Sequence, residues 1–196
     1  MSILEEMKKI ERRTEIPAFL KRNCLNGNVC EVGVRFAYNL QALAAAQPNL
    51  LVGVDHYNVT RKVEQQDTGM NQPKLDEEYG KVFQRFLTSP NVKIFRGTSK
   101  QAAFLFPLFF FDYVYVDADH SYEGSYQDMV LWWDRVRQGG VMAGHDYIDT
   151  ESKAGTPFGV VRAFAEFLKL KKIPAKFTHI TQEGHKTWMI FKPDGE

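Results

Sequence analysis

The chain has 196 residues and a formal net charge of +1, with 44% apolar and 25% charged residues. This size and composition suit one globular domain with a full core, and the near-neutral charge gives no global reason to expect a nucleic-acid partner. No stretch reaches the roughly 18 apolar residues of a membrane span, and the start lacks the apolar centre of a signal peptide. Cys24 and Cys30 do not form a CxxC pair, which predicts a reduced, cytoplasmic protein. We expect a single domain, 1–196, with residues 1–27 as a helical lead-in that Pro17 interrupts.

Beyond the lead-in, apolar strand-like runs alternate with amphipathic helices. The predicted strands are 28–34, 49–57, 91–97, 111–117 and 139–147, followed by a hairpin of 175–181 and 186–192 with Gly184 in its turn. The predicted helices are 36–46, 74–88, 99–106, 122–136 and one that begins near 156. This alternation predicts an α/β fold, a doubly wound, Rossmann-like sheet of seven strands, mostly parallel, with an antiparallel strand in the C-terminal hairpin.

In such sheets ligands bind at the carboxyl ends of the strands, so the residues that follow each strand are the candidates. After the first strand, Gly33 either lets a ligand approach the backbone or makes a structural turn. The dinucleotide fingerprint is incomplete, because Arg35 and Tyr38 stand where further glycines would be. After the second strand, Asp55 lies where an acid binds ribose hydroxyls, with a cap or loop role as the alternative. After the third strand, Thr98 and Ser99 either cap a helix or line an adenine pocket.

The fourth and fifth strands end in "VDADHSYEG" and "GHDY". If these strands are neighbours, Asp117, Asp119, His120, His145 and Asp146 come close together. Crowded carboxylates repel each other unless a cation offsets them, and oxygen ligands favour a hard divalent ion such as Mg²⁺. We expect Asp117 and Asp146 to form this pair, and Asp119 to cap the helix that follows.

Taken in order, these motifs resemble the class I S-adenosylmethionine-dependent methyltransferases, over nearly the whole chain from about residue 28. The resemblance implies S-adenosylmethionine as cofactor, with Glu31, Gly33 and Asn39 at its methionine part, Asp55 at its ribose and the Thr98–Ser99 pair at its adenine. It also places Asp117 in this cofactor site. Ala37 departs from the family pattern, in which a further glycine is common.

"VDADHSYEG" followed by "GGVMAGHDY" narrows the resemblance to the small metal-dependent O-methyltransferases, which include catechol, caffeoyl-coenzyme A and sugar-hydroxyl types. It implies that Asp117, His145 and Asp146 bind a divalent metal, expected to be Mg²⁺ with Mn²⁺ as the alternative, and that His120 is the general base. His145 departs from the pattern, since better-studied members carry an acid there. Histidine is a poor Mg²⁺ ligand. Either the site binds a softer ion, or His145 contacts the metal ligands without binding the metal itself.

The resemblance therefore implies a metal-assisted O-methyltransferase that acts on a hydroxyl of a small molecule. His120 in place of a lysine favours a sugar or glycan acceptor, with a catechol or phenol as the alternative. We expect no nucleic-acid or membrane partner, and a homodimer is among the possible assembly states. Three other classes stay open: a nicotinamide-dependent oxidoreductase, a non-catalytic binding module and a metallohydrolase built on His145 and Asp146. The incomplete glycine fingerprint argues against the oxidoreductase, and the charged cluster argues against the non-catalytic module. The scarcity of further histidine ligands argues against the metallohydrolase.

Overall fold

The structure is a computed structural model that describes residues 1–59, 69–148, 150 and 158–193. Its strands are β1 Asn28–Val32, β2 Leu50–Asp55, β3 Val92–Arg96, β4 Phe111–Val116, β5 Val136–Gly144, β6 Thr178–Ile180 and β7 Trp188–Phe191. They form one seven-stranded sheet in the order β3-β2-β1-β4-β5-β7-β6. Strands β1 to β5 are parallel, whereas β7 runs antiparallel to both β5 and β6. The predicted fold class is confirmed, including the reversed strand in the closing hairpin.

The helices are α1 Ile3–Met7, α2 Ile16–Arg22, α3 Tyr38–Ala44, α4 Gln72–Phe86, α5 Ser99–Ala103, α6 Tyr122–Trp133 and α7 Val160–Leu170, with 3₁₀ turns at Arg13–Glu15 and Ala175–Phe177. The lead-in is helical as predicted, but Pro17 lies in the first turn of α2 and does not interrupt a helix. A first-turn residue needs no backbone N–H donor, and the fixed φ of proline suits that position. The predicted start of the last helix, near 156, lies outside the described residues.

Alternate residues of each strand enter two core layers on opposite faces of the sheet. On β4, Tyr113 and Tyr115 belong to the layer packed by α2 and α3. Val114 and Val116 belong to the layer that contains Trp132 of α6. The sheet is therefore covered on both faces, which explains why its central strands read as continuous apolar runs. No helix in the described part of the chain is long and apolar enough to cross a membrane.

The adjacency of β1, β4 and β5 brings three strand ends to one edge of the sheet. Hydrogen bonding continues one residue past the strands there: the Asp117 N–H donates to Val32 O at 2.7 Å, and the His145 N–H donates to Val116 O at 3.0 Å. These bonds fix the backbone at the point where the polar residues of both motifs begin.

Candidate active site

Asp146, directly after β5, is buried at this edge, with 5% of its surface exposed. Its Oδ1 lies 2.7 Å from His185 Nδ1 and 3.3 Å from His145 Nδ1, and its Oδ2 lies 3.1 Å from His120 Nε2. Its backbone has a φ of 50°, in the left-handed region that residues other than glycine seldom occupy. Such strain is often found at functional positions, where the surrounding structure holds it in place.

Asp117, directly after β4, faces the same centre. Its Oδ1 lies 3.3 Å from His120 Nε2 and 3.7 Å from His145 Nδ1. Its Oδ2 lies 3.9 Å from Nη1 of Arg13, which the N-terminal lead-in brings to the site. The predicted convergence of the β4 and β5 motifs is therefore what the structure shows.

Asp117, His120 and Asp146 each offer one donor atom within 4.8 Å of the others, close enough for one cation to contact all three. This set includes His120, which the sequence predicted as a base, and leaves out His145, which the sequence predicted as a ligand. His145 lies beside the set, in contact with a carboxylate oxygen of each aspartate. Two carboxylates and an imidazole are a donor set that fits a divalent cation.

The charges in this cluster shift the protonation equilibria of its members. Burial alone would raise the pKa of Asp146, but the imidazoles of His145, His120 and His185 outweigh burial and hold that pKa below its usual range. Burial works against the charged form of His120, yet the hydrogen bond to Asp117 and the charge of Asp146 raise the pKa of His120. The cluster therefore favours an ionised Asp146 facing a cation, whether that cation is a metal or an imidazolium.

Two of the predicted cofactor residues, Glu31 of β1 and Asn39 of α3, form a second centre next to the first. Glu31 is 1% exposed, and its Oε1 accepts a hydrogen bond from Asn39 Nδ2 at 3.0 Å. Its Oε2 is buried with no hydrogen-bond partner among the described residues, and burial raises the pKa of this carboxyl well above its usual range. Burying a carboxyl oxygen without a hydrogen-bond partner costs free energy. Oε2 of Glu31 therefore fits a site in which a polar ligand supplies the missing partner.

Gly33 joins the two centres. Its φ is +92°, and a Cβ at this position would lie 2.1 Å from the carbonyl oxygen of Asp117. The backbone after β1 thus packs directly on the backbone after β4, which no residue with a side chain would allow. The contact of Gly33 is with the protein itself, so the structural alternative stated for this glycine applies alongside any role at a ligand.

The other predicted cofactor residues already have partners within the protein. Asp55 accepts backbone N–H groups of Val34, Arg35 and Tyr57 at 3.0, 2.8 and 2.8 Å, and so ties the loop after β1 to the end of β2. A contact between this carboxylate and ribose stays a prediction.

Both residues of the Thr98–Ser99 pair have hydrogen-bond partners within the protein. Thr98 caps α5 by accepting the N–H of Gln101 at 3.2 Å. The Ser99 hydroxyl donates to the buried Asp128 carboxylate and accepts from Trp132 Nε1 at 2.8 Å. These bonds explain both side chains structurally, and the adenine contact stays a prediction.

Two residues of the centre were not predicted from the sequence. His185 lies in the hairpin turn that precedes β7, and because β7 runs antiparallel to β5, its start lies at the carboxyl end of β5. The backbone confirms this approach, since the Tyr147 N–H donates to Lys186 O at 3.0 Å. Reading the hairpin as antiparallel would have placed His185 at this edge. No sequence signal pointed to Arg13, whose position depends on the packing of the lead-in: its N–H donates to Glu183 Oε1 at 2.9 Å.

Asp119 has a structural role, as expected, but the prediction that it caps the helix is wrong. Its Oδ1 accepts the Ser121 N–H at 2.9 Å, and Ser121 is the residue that caps α6, by accepting the Gly124 N–H at 3.2 Å. The turn between β4 and α6 is therefore held by Asp119 and Ser121, while Asp117 and His120 face the cluster.

The order of strands, the buried acid of β1 and the charged centre after β4 and β5 agree with one family model, that of a methyltransferase domain, which matches residues 30–147. The chain belongs to the methyltransferase domain family. The match spans more than half of the chain, from β1 through the residues after β5. It confirms the predicted membership among the class I S-adenosylmethionine-dependent methyltransferases. No curated protein matches the chain.

Solved methyltransferase structures share this fold at low sequence identity. An O-methyltransferase from Bacillus cereus in complex with SAH has a TM-score of 0.60 and 14% identity, covering 97% of this chain and 90% of that one. The O-methyltransferase TomG from Streptomyces achromogenes, in complex with SAM, has a TM-score of 0.60 and 12% identity, covering 92% and 79%. The SAH-bound methyltransferase PaMTH1 from Podospora anserina has a TM-score of 0.63 and 15% identity, covering 93% and 78%. At such identities the likeness shows the fold, and the acceptor has to be argued from the site.

Proposed function

We propose that this methyltransferase transfers the methyl group of S-adenosylmethionine to a hydroxyl of a small molecule, a sugar or glycan in the first place, with the help of a divalent cation held by Asp117 and Asp146. The observation that carries the proposal is the direct contact between the two centres. Gly33 and Asp117 touch through their backbones, so the hydrogen-bonded side chains of Glu31 and Asn39 adjoin the charged centre. A cofactor in the first and an acceptor at the second would be neighbours.

The cofactor, when bound, supplies a sulfonium methyl group that is already activated for displacement. The protein then has to align an acceptor oxygen with it and make that oxygen nucleophilic. Alignment of two bound reactants can contribute roughly 7–11 kcal/mol to lowering a barrier. Asp117 and Asp146 would hold the cation that lowers the pKa of the acceptor hydroxyl and fixes its position.

The geometry bears on the base role predicted for His120. A general base needs a nitrogen that is free to receive the proton, and such catalysis is typically worth about 10²–10⁴ in rate. Nε2 of His120 lies 3.3 Å from Asp117 Oδ1 and 3.1 Å from Asp146 Oδ2. This position suits an atom that coordinates a cation better than it suits a general base. In either role, we expect loss of this imidazole to remove turnover and to leave the hydrogen bond between Glu31 and Asn39 unchanged.

The sugar acceptor rests on the histidine at position 120 in the sequence pattern. Much of the two segments that could cover the acceptor, 56–73 and 148–157, lies outside the described residues. A catechol or phenol remains the alternative acceptor.

The test combines binding with a methyl-transfer screen. Isothermal titration should detect S-adenosylmethionine and S-adenosylhomocysteine but not NAD. A screen with isotope-labelled cofactor over sugars, nucleotide sugars and phenols, with and without divalent ions, should find a hydroxyl acceptor whose methylation stops on chelation. The His120→Ala variant should lose about 10²-fold or more in turnover while its cofactor affinity stays within about twofold.

Each part of the proposal can fail separately. Absence of cofactor binding would overturn the proposal as a whole. A methylation rate that chelators leave unchanged would overturn the metal, and full turnover in His120→Ala would remove that residue from the mechanism. Methylation of phenols in place of sugars would replace the proposed acceptor with its alternative.

A further inference from the structure

We infer that the cation site is built for a first-row transition ion, such as Mn²⁺, Fe²⁺, Co²⁺ or Zn²⁺, in preference to Mg²⁺, with Asp117, His120 and Asp146 as its three protein donors. The inference rests on the proposed function for the place of the cation beside the acceptor. The binding preference itself can be measured without any methyl transfer.

Two of the three donor distances already match a coordination shell. With bonds of about 2.1 Å, neighbouring donors of one ion lie roughly 3.0 Å apart in octahedral and 3.4 Å apart in tetrahedral geometry. His120 Nε2 lies 3.3 Å from Asp117 Oδ1 and 3.1 Å from Asp146 Oδ2. The donor atoms of all three residues lie within 4.8 Å of one another, so a modest movement of the two carboxylates would let one ion contact all three.

The two oxygens of Asp146 have different surroundings, which fixes the one that would bind. Oδ1 is held by His185 at 2.7 Å and by His145 at 3.3 Å, while Oδ2 faces His120. The rings of His145 and His185 also stack on each other, with centroids 5.8 Å apart. Hydrogen bonds to the second oxygen of a ligating carboxylate orient the first, and losing them typically costs 10–100-fold in metal affinity. His145 and His185 therefore act as positioning residues behind the ligand Asp146.

His120 is itself oriented for coordination. Its carbonyl accepts the Gly159 N–H at 2.8 Å, and its ring stacks on Phe158 with centroids 5.3 Å apart. These contacts hold the imidazole edge carrying Nε2 toward the two aspartates. An ordered imidazole loses less freedom on binding an ion than a mobile one would.

The chemistry of the donors then sets the preference among ions. Mg²⁺ takes oxygen ligands and is reluctant to exchange its water for other donors, whereas imidazole nitrogen suits Zn²⁺, Fe²⁺, Ni²⁺ and Cu²⁺. A site in which one of three protein donors is imidazole therefore favours transition ions. Without a metal, a protonated His120 between two carboxylates would account for the same contacts, and the experiment has to separate these two states.

The experiment titrates Mg²⁺, Mn²⁺, Co²⁺ and Zn²⁺ into the chelator-stripped full chain, followed by calorimetry and, for Co²⁺, by visible absorption. We expect Co²⁺ and Zn²⁺ to bind at least about tenfold more tightly than Mg²⁺, with Mn²⁺ in between. His120→Ala should lose this preference, and His120→Glu, which makes all three donors oxygen, should shift it toward Mg²⁺. His185→Ala should weaken Co²⁺ binding about tenfold or more without changing the order of the ions.

The matched control is His179→Gln, which replaces a histidine of β6 whose Nε2 contacts Ile10 O at 2.6 Å, away from the cluster. It should bind all four ions like the parent, and circular dichroism should show that every variant is folded. Equal affinity for Mg²⁺ and Co²⁺, a preference that survives in both His120 variants, or no cation binding at all would overturn the inference. Cofactor titration of the same samples keeps this result apart from the proposed methyl transfer, which fails as a whole if S-adenosylmethionine does not bind.

Discussion

Asp128 makes the stability of this protein depend on pH in a way that a single substitution should remove. It lies on α6 with 5% of its surface exposed, and its carboxylate accepts a hydrogen bond from the Ser99 hydroxyl. Burial raises its pKa from the ordinary value of 3.8 to about 6, and the bond from Ser99 only partly opposes this. The folded chain therefore holds a proton on Asp128 over a pH range in which the unfolded chain has released it.

The sign and size of the effect follow from linkage. A raised folded-state pKa gives stability that is fully present below pH 3.8 and is lost as the pH rises through about 6. The difference of about two pH units corresponds to about 3 kcal/mol of unfolding free energy, of which about 2 kcal/mol falls between pH 4.5 and 7. Asp128→Asn, with a neutral side chain of the same shape, should lack this loss.

The assay is urea unfolding of parent and Asp128→Asn at pH 4.5 to 7.5, followed by tryptophan fluorescence. The variant should gain about 2 kcal/mol relative to the parent across this range, and comparing the two cancels the other titrating groups. Glu123→Gln, which removes an exposed carboxylate from the same helix, is the matched control. A parent-minus-variant difference that stays constant with pH would refute the reasoning.

Two further substitutions test the join between the two centres. Gly33→Ala should cost at least about 2 kcal/mol of unfolding free energy and abolish cofactor binding, because its Cβ would meet the Asp117 carbonyl at a φ of +92°. Gly184→Ala, where a Cβ meets nothing within 4 Å, should change urea unfolding little, and equal losses in both variants would contradict the steric argument. Glu31→Gln can still accept the hydrogen bond of Asn39, so it should fold normally but bind S-adenosylmethionine about tenfold more weakly in calorimetry. An unchanged dissociation constant would remove the free carboxyl oxygen from the cofactor site.

The sequence predicted most of what depends on local patterns. The alternation of strands and helices gave the sheet, and the rule that ligands lie at strand ends selected Asp117 and Asp146. These inferences succeed because periodicity is set by neighbouring residues, and because parallel strands place all their carboxyl ends at one edge. The prediction that Pro17 interrupts the lead-in was wrong for a local reason as well. Proline is common in the first turn of a helix, which is where Pro17 lies.

What the sequence by itself determined is the fold and the pair of strand ends that carry the charged centre. Tertiary structure alone decided which atoms face each other: that His120 Nε2 points at both aspartates, that His185 holds one oxygen of Asp146, and that Arg13 reaches Asp117 from the lead-in. Such contacts join residues far apart in the chain and depend on ring orientation and on the packing of a hairpin and a helical turn. No spacing along the sequence encodes these distances, and the division of roles between metal donor, positioning residue and base depends on them.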